Sequence, residues 1–386
     1  MAWPTKELGE LTDISRGSSP RPIADTRYFD GGKVPWVKIA DATKSGKFLY
    51  ETKQHVNDFG ASFSRRLPPG TILVAASGTL GYTQILGVEG CAHDGWLILQ
   101  NLRDLDRDFA YYALKTLERH FFNSGSGAAI QNINTDILRK SEIPHPPLLV
   151  QQRIAGILSA YDELIENGQR RIKILDTMAR TLYREWFVHF RFPGHENHPR
   201  VASPLGEIPQ GWEVKAVKET LARRAAGSVY RDADVKPEGE VPIVDQSTSE
   251  LQGFHDYEPD HPASSALPMA IFGDHTCKMQ LLIEPFSVGP NVVPFVASNE
   301  MPTSYVFYAV NSLVQTQEYK RHWQPLTAKE VVVADRATAR RFAALIQPML
   351  ETQAVHRKAI RNLRRTRDLL LPRLLSGSVN VFEEKQ

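Results

Sequence analysis

Residues 151–186 read QQRIAGILSAYDELIENGQRRIKILDTMARTLYREW. In this stretch Ile154, Leu158, Tyr161, Ile165, Gly168, Ile172, Leu175, Ala179, Leu182 and Trp186 recur at alternating steps of four and three, the heptad spacing of a coiled-coil seam. The rhythm returns 188 positions later, where RIAGIL (153–158) becomes RFAALI (341–346). There Phe342, Ile346, Met349, Gln353, His356, Ile360, Leu363, Arg367, Leu370 and Leu374 take the equivalent places. Nearly five heptads per copy predict two long helices of about 35–40 residues, roughly 50–60 Å each at 1.5 Å per residue.

Punctuation bounds both helices. The first follows the Pro-rich lead-in IPHPPLL (143–149) and stops near FPGHENHP (192–199), where Pro193, Gly194 and Pro199 break the pattern. The second stops at Ser376 and Gly377, a C-terminal cap signal. Pro348 and Pro372 are expected to kink the second helix or split off its first turn.

Before each helix lie about 140 residues of short apolar runs between Gly and Pro. VPWVKIAD, GTILVAASG, YTQILGV and GWLILQNL in the first part, and VPIVDQS, LPMAIFGD, MQLLIEP and VVPFVAS in the second, read as strands. The openings correspond: Trp3 and Trp212, then Val34–Val37 and Val241–Val244. Shorter helices are predicted over 108–120 and 304–320.

The fold class is therefore α+β. Two mixed α/β domains are separated by two long antiparallel coiled-coil helices, with a pseudo-two-fold internal repeat. The expected boundaries are 1–147 for the first mixed domain and 148–192 for the first spacer helix. A linker and the second mixed domain follow at 193–337, the second spacer helix at 338–378 and a tail at 379–386. A matching seam is buried only if the second helix runs back along the first, so the pair is expected to hold two unlike heads on a rigid spacer. The residues expected to pair the helices are Ile154, Leu158, Tyr161, Ile165, Ile172, Leu175, Leu182, Phe342, Ile346, Met349, Ile360, Leu363 and Leu370. His356 and Arg367, polar at seam positions, are expected to fix register or to touch a partner.

Composition adds limits. The 386 residues suggest about two to three domains, and 42% hydrophobic residues are enough to build full cores. Lys plus Arg (46) nearly balance Asp plus Glu (44), so any argument for nucleic acid rests on where the charges sit. In 340–373, nine basic side chains face the two acids Glu351 and Asp368, which is either a solvated face or a contact with nucleic acid or an acidic helix. Cys91 and Cys277 form neither a disulfide framework nor a CxxC knuckle, and a reducing cytoplasm is expected. No signal-peptide core opens the chain and no apolar run is long enough to span a membrane.

The chain resembles the DNA specificity subunit of type I restriction-modification systems. The resemblance runs over essentially the whole chain and is strongest in VPWVKIADAT, LPPGTILVAASGTLG (67–81) and the passage SGSGAAIQNINTDILRKSEIPHPPLLVQQRIAGILSAYDELIENGQRRI (124–172). LRRTRDLLLPRLLSG (363–377) is similar to the family's closing helix. KEVVVADRATARR (329–341) departs, standing where the first copy has its IPxPPL lead-in. The resemblance implies a subunit without catalytic chemistry of its own, whose heads each read one half of a split, asymmetric double-stranded DNA target. It implies partners too: two copies of an adenine methyltransferase subunit and an ATP-dependent restriction subunit. The complex would use S-adenosylmethionine, and ATP with Mg for restriction, while this chain would bind no cofactor. The alternative is a stand-alone specificity-like scaffold that binds methyltransferase subunits and redirects or blocks them.

No motif for base chemistry interrupts this reading: there is no Asn/Asp-Pro-Pro-aromatic tetrad and no glycine-rich methyl-donor loop after a strand. DATKSGKF around Lys47 lacks the first glycine and the final Ser/Thr of a phosphate loop, and HENH (195–198) is not HExxH. Base readout uses Arg/Lys for guanine and Asn/Gln for adenine, and phosphate contact uses cations and open backbone amides. The expected DNA-contacting residues in the first head are Arg16, Ser18, Arg21, Lys38, Lys44, Ser77, Gly78, Thr79, Tyr82, Gln131 and Asn132, with Lys47 beside them. In the second they are Arg223, Arg224, Arg231, Gln246, Lys278, His322 and Gln324. Gly78 and Gly81 equally serve a plain strand turn, Gln131 to Asn134 equally a helix cap, and Trp323 is expected in the core rather than as a stacking platform.

Overall fold

The structure is a computed structural model that describes residues 3–43, 45–123, 132–316, 320–379 and 381. Its fold is mixed α/β with two long helices, and the chain divides into two compact units. Unit 1 comprises residues 1–167 and 360–386, and unit 2 comprises residues 168–359. Each unit thus takes one half of each long helix.

In unit 1 the apolar runs become two sheets. The larger has the order Asp13–Arg16, Trp96–Gln100, Ile72–Ala75, Thr83–Leu86 and Phe48–Leu49, antiparallel except for the last pair. The smaller has the order His55–Val56, Val34–Val37, Gly90–Ala92 and Arg65–Leu67, with Trp36 opposite Cys91. A two-strand ribbon, Thr5–Glu7 with Glu142–Pro144, closes the unit just before the long helix. Ile72, Val74, Leu97 and Leu99 face the helix Arg107–Asn123 in one core with Ile154, Leu158, Leu374 and Leu375 of the long helices.

Unit 2 repeats the plan. Leu221–Arg223, Val292–Ala297, Met269–Gly273 and Met279–Leu282 form an antiparallel sheet, and Gly253–His255, Val241–Val244 and Ser287–Val288 a second. Val34–Val37 and Val241–Val244 each have one antiparallel and one parallel neighbour. The divergent KEVVVAD segment also keeps its place, because Glu330–Val333 pairs with Glu213–Ala216 as 142–144 pairs with 5–7.

Two elements differ from expectation. VPWVKIAD is strand only to Val37. Asp41 then accepts from the Lys38 amide and opens the one-turn helix Ile39–Ala42. The helix expected over 304–320 ends at Val310, since Ser312 sits at φ +70, a left-handed conformation that continues no α-helix.

The first long helix spans Leu148–Tyr183 and passes into a π-turn over Arg184–Val188, and Phe190 at φ +56 ends the run. The second spans Arg336–Leu375 without interruption. Pro348 and Pro372 therefore split nothing off, and each lacks the N–H that would have donated to the preceding turn. Asp335 starts this helix by accepting from the Thr338 amide at 2.9 Å and the Trp212 indole at 3.2 Å. Burial opposes the charge of this carboxyl, yet those bonds hold it below the usual range. At the other end the Gly377 and Ser378 amides donate to Leu374 and Arg373, with Gly377 at φ +74, a Schellman cap.

All thirteen seam residues expected from the heptads are buried or half-buried. In unit 1 Asp162 meets Arg367, and Arg153 reaches the Val381 carbonyl. In unit 2 Tyr183, Trp186 and Phe187 pack their rings on Phe342. In unit 1 Asp162 lies further along the chain than Arg153, yet its partner Arg367 precedes Val381, so the paired segments there run in opposite directions.

Candidate nucleic-acid interface

The richest polar rim in unit 1 forms where the strand 13–16 leaves the larger sheet. Gly17 is indispensable there: a Cβ on it would lie 2.2 Å from the His93 carbonyl oxygen. The approach lets Ser18 donate its amide to Ala92, while its carbonyl accepts from the Ser64 hydroxyl at 2.7 Å. Asp94 gathers the neighbouring groups. Its backbone carbonyl accepts from Arg16 Nε at 2.8 Å, its carboxylate pairs with Arg21 and lies 3.0 Å from His93 Nδ1, and its amide donates to Ser19 Oγ. Lys38 lies over the Trp36 ring at 4.6 Å, and that ring meets His93 edge-on at 5.4 Å. Burial holds the His93 imidazole below its ordinary range, helped by Lys38, Arg21 and Arg16 and opposed by Asp94.

Arg16, Ser18, Arg21 and Lys38 are thus one cluster. The Ser77–Gly78–Thr79 turn is tied to that loop, since Ala76 donates its amide to Gly95, and its carbonyl accepts from Ile133 beside exposed Asn132. Gly78, at φ +73, and Thr79 are exposed. Tyr82 is not part of the rim, because its hydroxyl donates inward to the Ala42 carbonyl at 3.0 Å. Lys47 also turns inward. Its ammonium sits between Asp108 at 2.9 Å and Ser159 at 2.7 Å, above the Tyr112 ring. Lys44 and Gln131 lie outside the described residues.

The unit 2 candidates are dispersed. Arg223, Arg224, Arg231 and Gln324 are exposed. Arg224 lines a cleft of about 740 Å³ with Leu267, Met269 and Leu350. Arg231 opens a stretch crowded with Asp232, Asp234, Glu238 and Glu240, which weakens it as a phosphate contact. Gln246 accepts from the His275 amide, and Lys278 donates to the Asp245 and Ser249 carbonyls at 2.9 and 2.6 Å. His322 is 3% exposed, with its amide on Asp274. Gln246, Lys278 and His322 therefore brace loops from within instead of lining a rim. The Trp323 ring rests against Phe272 and Phe295.

The family model for the type I restriction modification DNA specificity domain matches residues 2–176. The MjaIX specificity subunit of a type I restriction enzyme from Methanocaldococcus jannaschii is 23% identical over 411 aligned positions, covering 99% of this chain and 94% of the relative. Residues 2–176 thus match the DNA specificity domain of type I systems, and the whole chain is similar to type I specificity subunits.

A second relative, the MjaVIII specificity subunit of the same organism, is 28% identical over 52% of this chain and 48% of its own length. The crystal structure of a type I restriction-modification S subunit from M. genitalium has the same fold, with a TM-score of 0.59 at 18% identity over 97% of this chain and 96% of that one. The family match runs through most of the first long helix, to residue 176, and the Asp94 rim lies inside it. His93, Asp94 and Ser64 were not legible as rim residues from the sequence. The signal that could have found the first two is the polar AHDGW step between two apolar strands.

No described helix is long and apolar enough to cross a membrane, and no cluster of three metal-ligating side chains occurs among the described residues. In HENH, the His195 and His198 rings contact the Phe192 and Gln210 carbonyls at 2.8 Å.

Proposed function

We propose that this chain is the non-catalytic, sequence-reading subunit of a type I restriction-modification complex. Its two heads read the halves of a bipartite, asymmetric duplex target, and the long helices set the unread gap between them. It docks two adenine methyltransferase subunits, and an ATP-dependent restriction subunit joins for cleavage. The complex uses S-adenosylmethionine for methylation and ATP with Mg for restriction, and this chain binds none of them.

The observation that carries the reading is one plan built twice with unlike rims. Both units have a ribbon, two sheets and a part of each long helix, yet unit 1 gathers Arg16, Arg21 and Lys38 from two loops around His93 and Asp94, while unit 2 exposes Arg223 and Arg224 on one segment and Gln324 on another. Unlike rims on like frames suit an asymmetric target. Clustered cations supply the phosphate anchoring that sequence readers need.

The test is to express this chain with a cognate modification subunit in a host lacking both and to map methylated adenines by single-molecule sequencing. One split motif that disappears without this chain is expected. Methylation unchanged by its removal would defeat the proposal.

A further inference from the structure

The two long helices carry nearly the same apolar pattern twice, so the apolar seam residues alone do little to distinguish a helix's proper partner from a second copy of itself. Polar positions break the likeness: Gln353 and His356 stand where the first helix has Ile165 and Gly168, and one buried pair differs in charge. In unit 1, Asp162 is 9% exposed and accepts from the Tyr112 hydroxyl and from Arg367 Nη1, both at 2.5 Å. Asp368 holds the same guanidinium from the other side at 2.8 Å.

The repeat offset carries Asp162 to Leu350 (162 + 188 = 350) and Arg367 to Ala179 (367 − 188 = 179). Leu350 and Ala179 are both buried in the apolar core of unit 2. Tyr308, which occupies in its helix the place Tyr112 has in its own, packs its ring on Tyr183 and Phe342. Equivalent places therefore hold an ion pair in one unit and hydrocarbon in the other.

If either long helix paired with its own copy on a second chain, Asp162 would face Ala179, and Arg367 would face Leu350. Each such contact would bury a charge without its counter-ion, whereas pairing of the two different helices satisfies every one. We infer that Asp162 and Arg367, oriented by Tyr112, select the pairing of unlike helices and exclude association of either helix with a second copy of itself. They are positioning residues, and the choice they make concerns this chain and its own copies, independent of any DNA target.

Like-with-like pairing would bring residue 171 of one chain opposite residue 170 of the other (162 + 179 = 341 = 170 + 171). Arg171 is exposed, so R171C in the full-length chain, with C277S throughout, reports that pairing as an oxidised, disulfide-linked dimer. Adding D162L and R367A makes the halves alike at this buried pair, and the cross-linked dimer is expected to rise about tenfold. Adding the reversed pair D162R and R367D restores complementary charge and is expected to keep the dimer at the parent level. A leucine/alanine variant that cross-links no more than its parent would overturn the inference. So would a reversed pair that cross-links as freely as the leucine/alanine variant.

Discussion

The Trp3 indole N–H donates to the Leu374 carbonyl at 3.1 Å, joining positions 371 residues apart. The bond ties the segment before the first ribbon to the last turn of the second long helix inside one core, so unit 1 is complete only when the far end of the chain has returned. Trp3→Phe keeps the ring and removes the donor. It is expected to lower stability by about 1 kcal/mol, read as a shifted urea midpoint, while a variant ending at residue 369 should lose the cooperative transition of unit 1.

Lys47 separates burial from DNA contact. Its side chain is 5% exposed and bridges Asp108 to Ser159 on the first long helix. Lys47→Met leaves Asp108 with Arg107 as its remaining partner. The variant should lose about 2 kcal/mol in denaturant unfolding, with DNA affinity retained where it is folded. Lys38→Met is expected to behave oppositely, with stability within about 0.5 kcal/mol of the parent and weaker DNA binding.

These two lysines show what the sequence carried and what it did not. The heptads gave the helices and their buried faces because the signal is local and repeated, and all thirteen seam residues follow it. Apolar runs bounded by Gly and Pro located the strands for the same reason. Lys38 and Lys47 each border a strand, Val34–Val37 and Phe48–Leu49, and look alike as cations, but the partners of Lys47 are 61 and 112 positions away, and no local pattern reports them. Lys278 and His322 likewise resembled rim residues until the loops they brace were seen. The Asp94 cluster needed the Gly17 approach, which is a property of two strands together.

The rim cations make a graded forecast. Arg21→Ala and Lys38→Ala in the assembled complex should each weaken target and non-target duplexes alike, and each should reduce the salt slope of binding by about one. Fluorescence anisotropy across a salt series measures both quantities. A change confined to one target sequence would show that the residue reads a base instead of a phosphate.

His93 gives a pH signature with a fixed sign. Burial, then the nearby cations, hold its folded imidazole below the ordinary value, while the unfolded chain takes up a proton near pH 6.5. As the pH falls through about 6.5 the unfolded state binds the proton first, so stability present above that pH is lost until the folded imidazole also titrates. His255 and His261 are shifted the same way by burial. Urea midpoints should therefore fall from pH 7 toward about pH 5, and His93→Gln should flatten part of that slope. An unaltered slope in the variant would assign the whole effect to other groups.

The proposed spacer role rests on apolar contact along both helices, and Leu175 in unit 2 and Leu363 in unit 1 are half-buried seam residues outside both rims. Leu175→Asp or Leu363→Asp places a carboxylate in that seam without touching a rim loop, at a cost of about 2–3 kcal/mol to helix packing. Each head keeps its own sheets, so weak binding to single half-sites should survive while methylation of the split motif is lost. Sequencing of methylated adenines checks this directly. A variant that still methylates the parent motif with its gap unchanged would show that something other than the paired helices measures the distance.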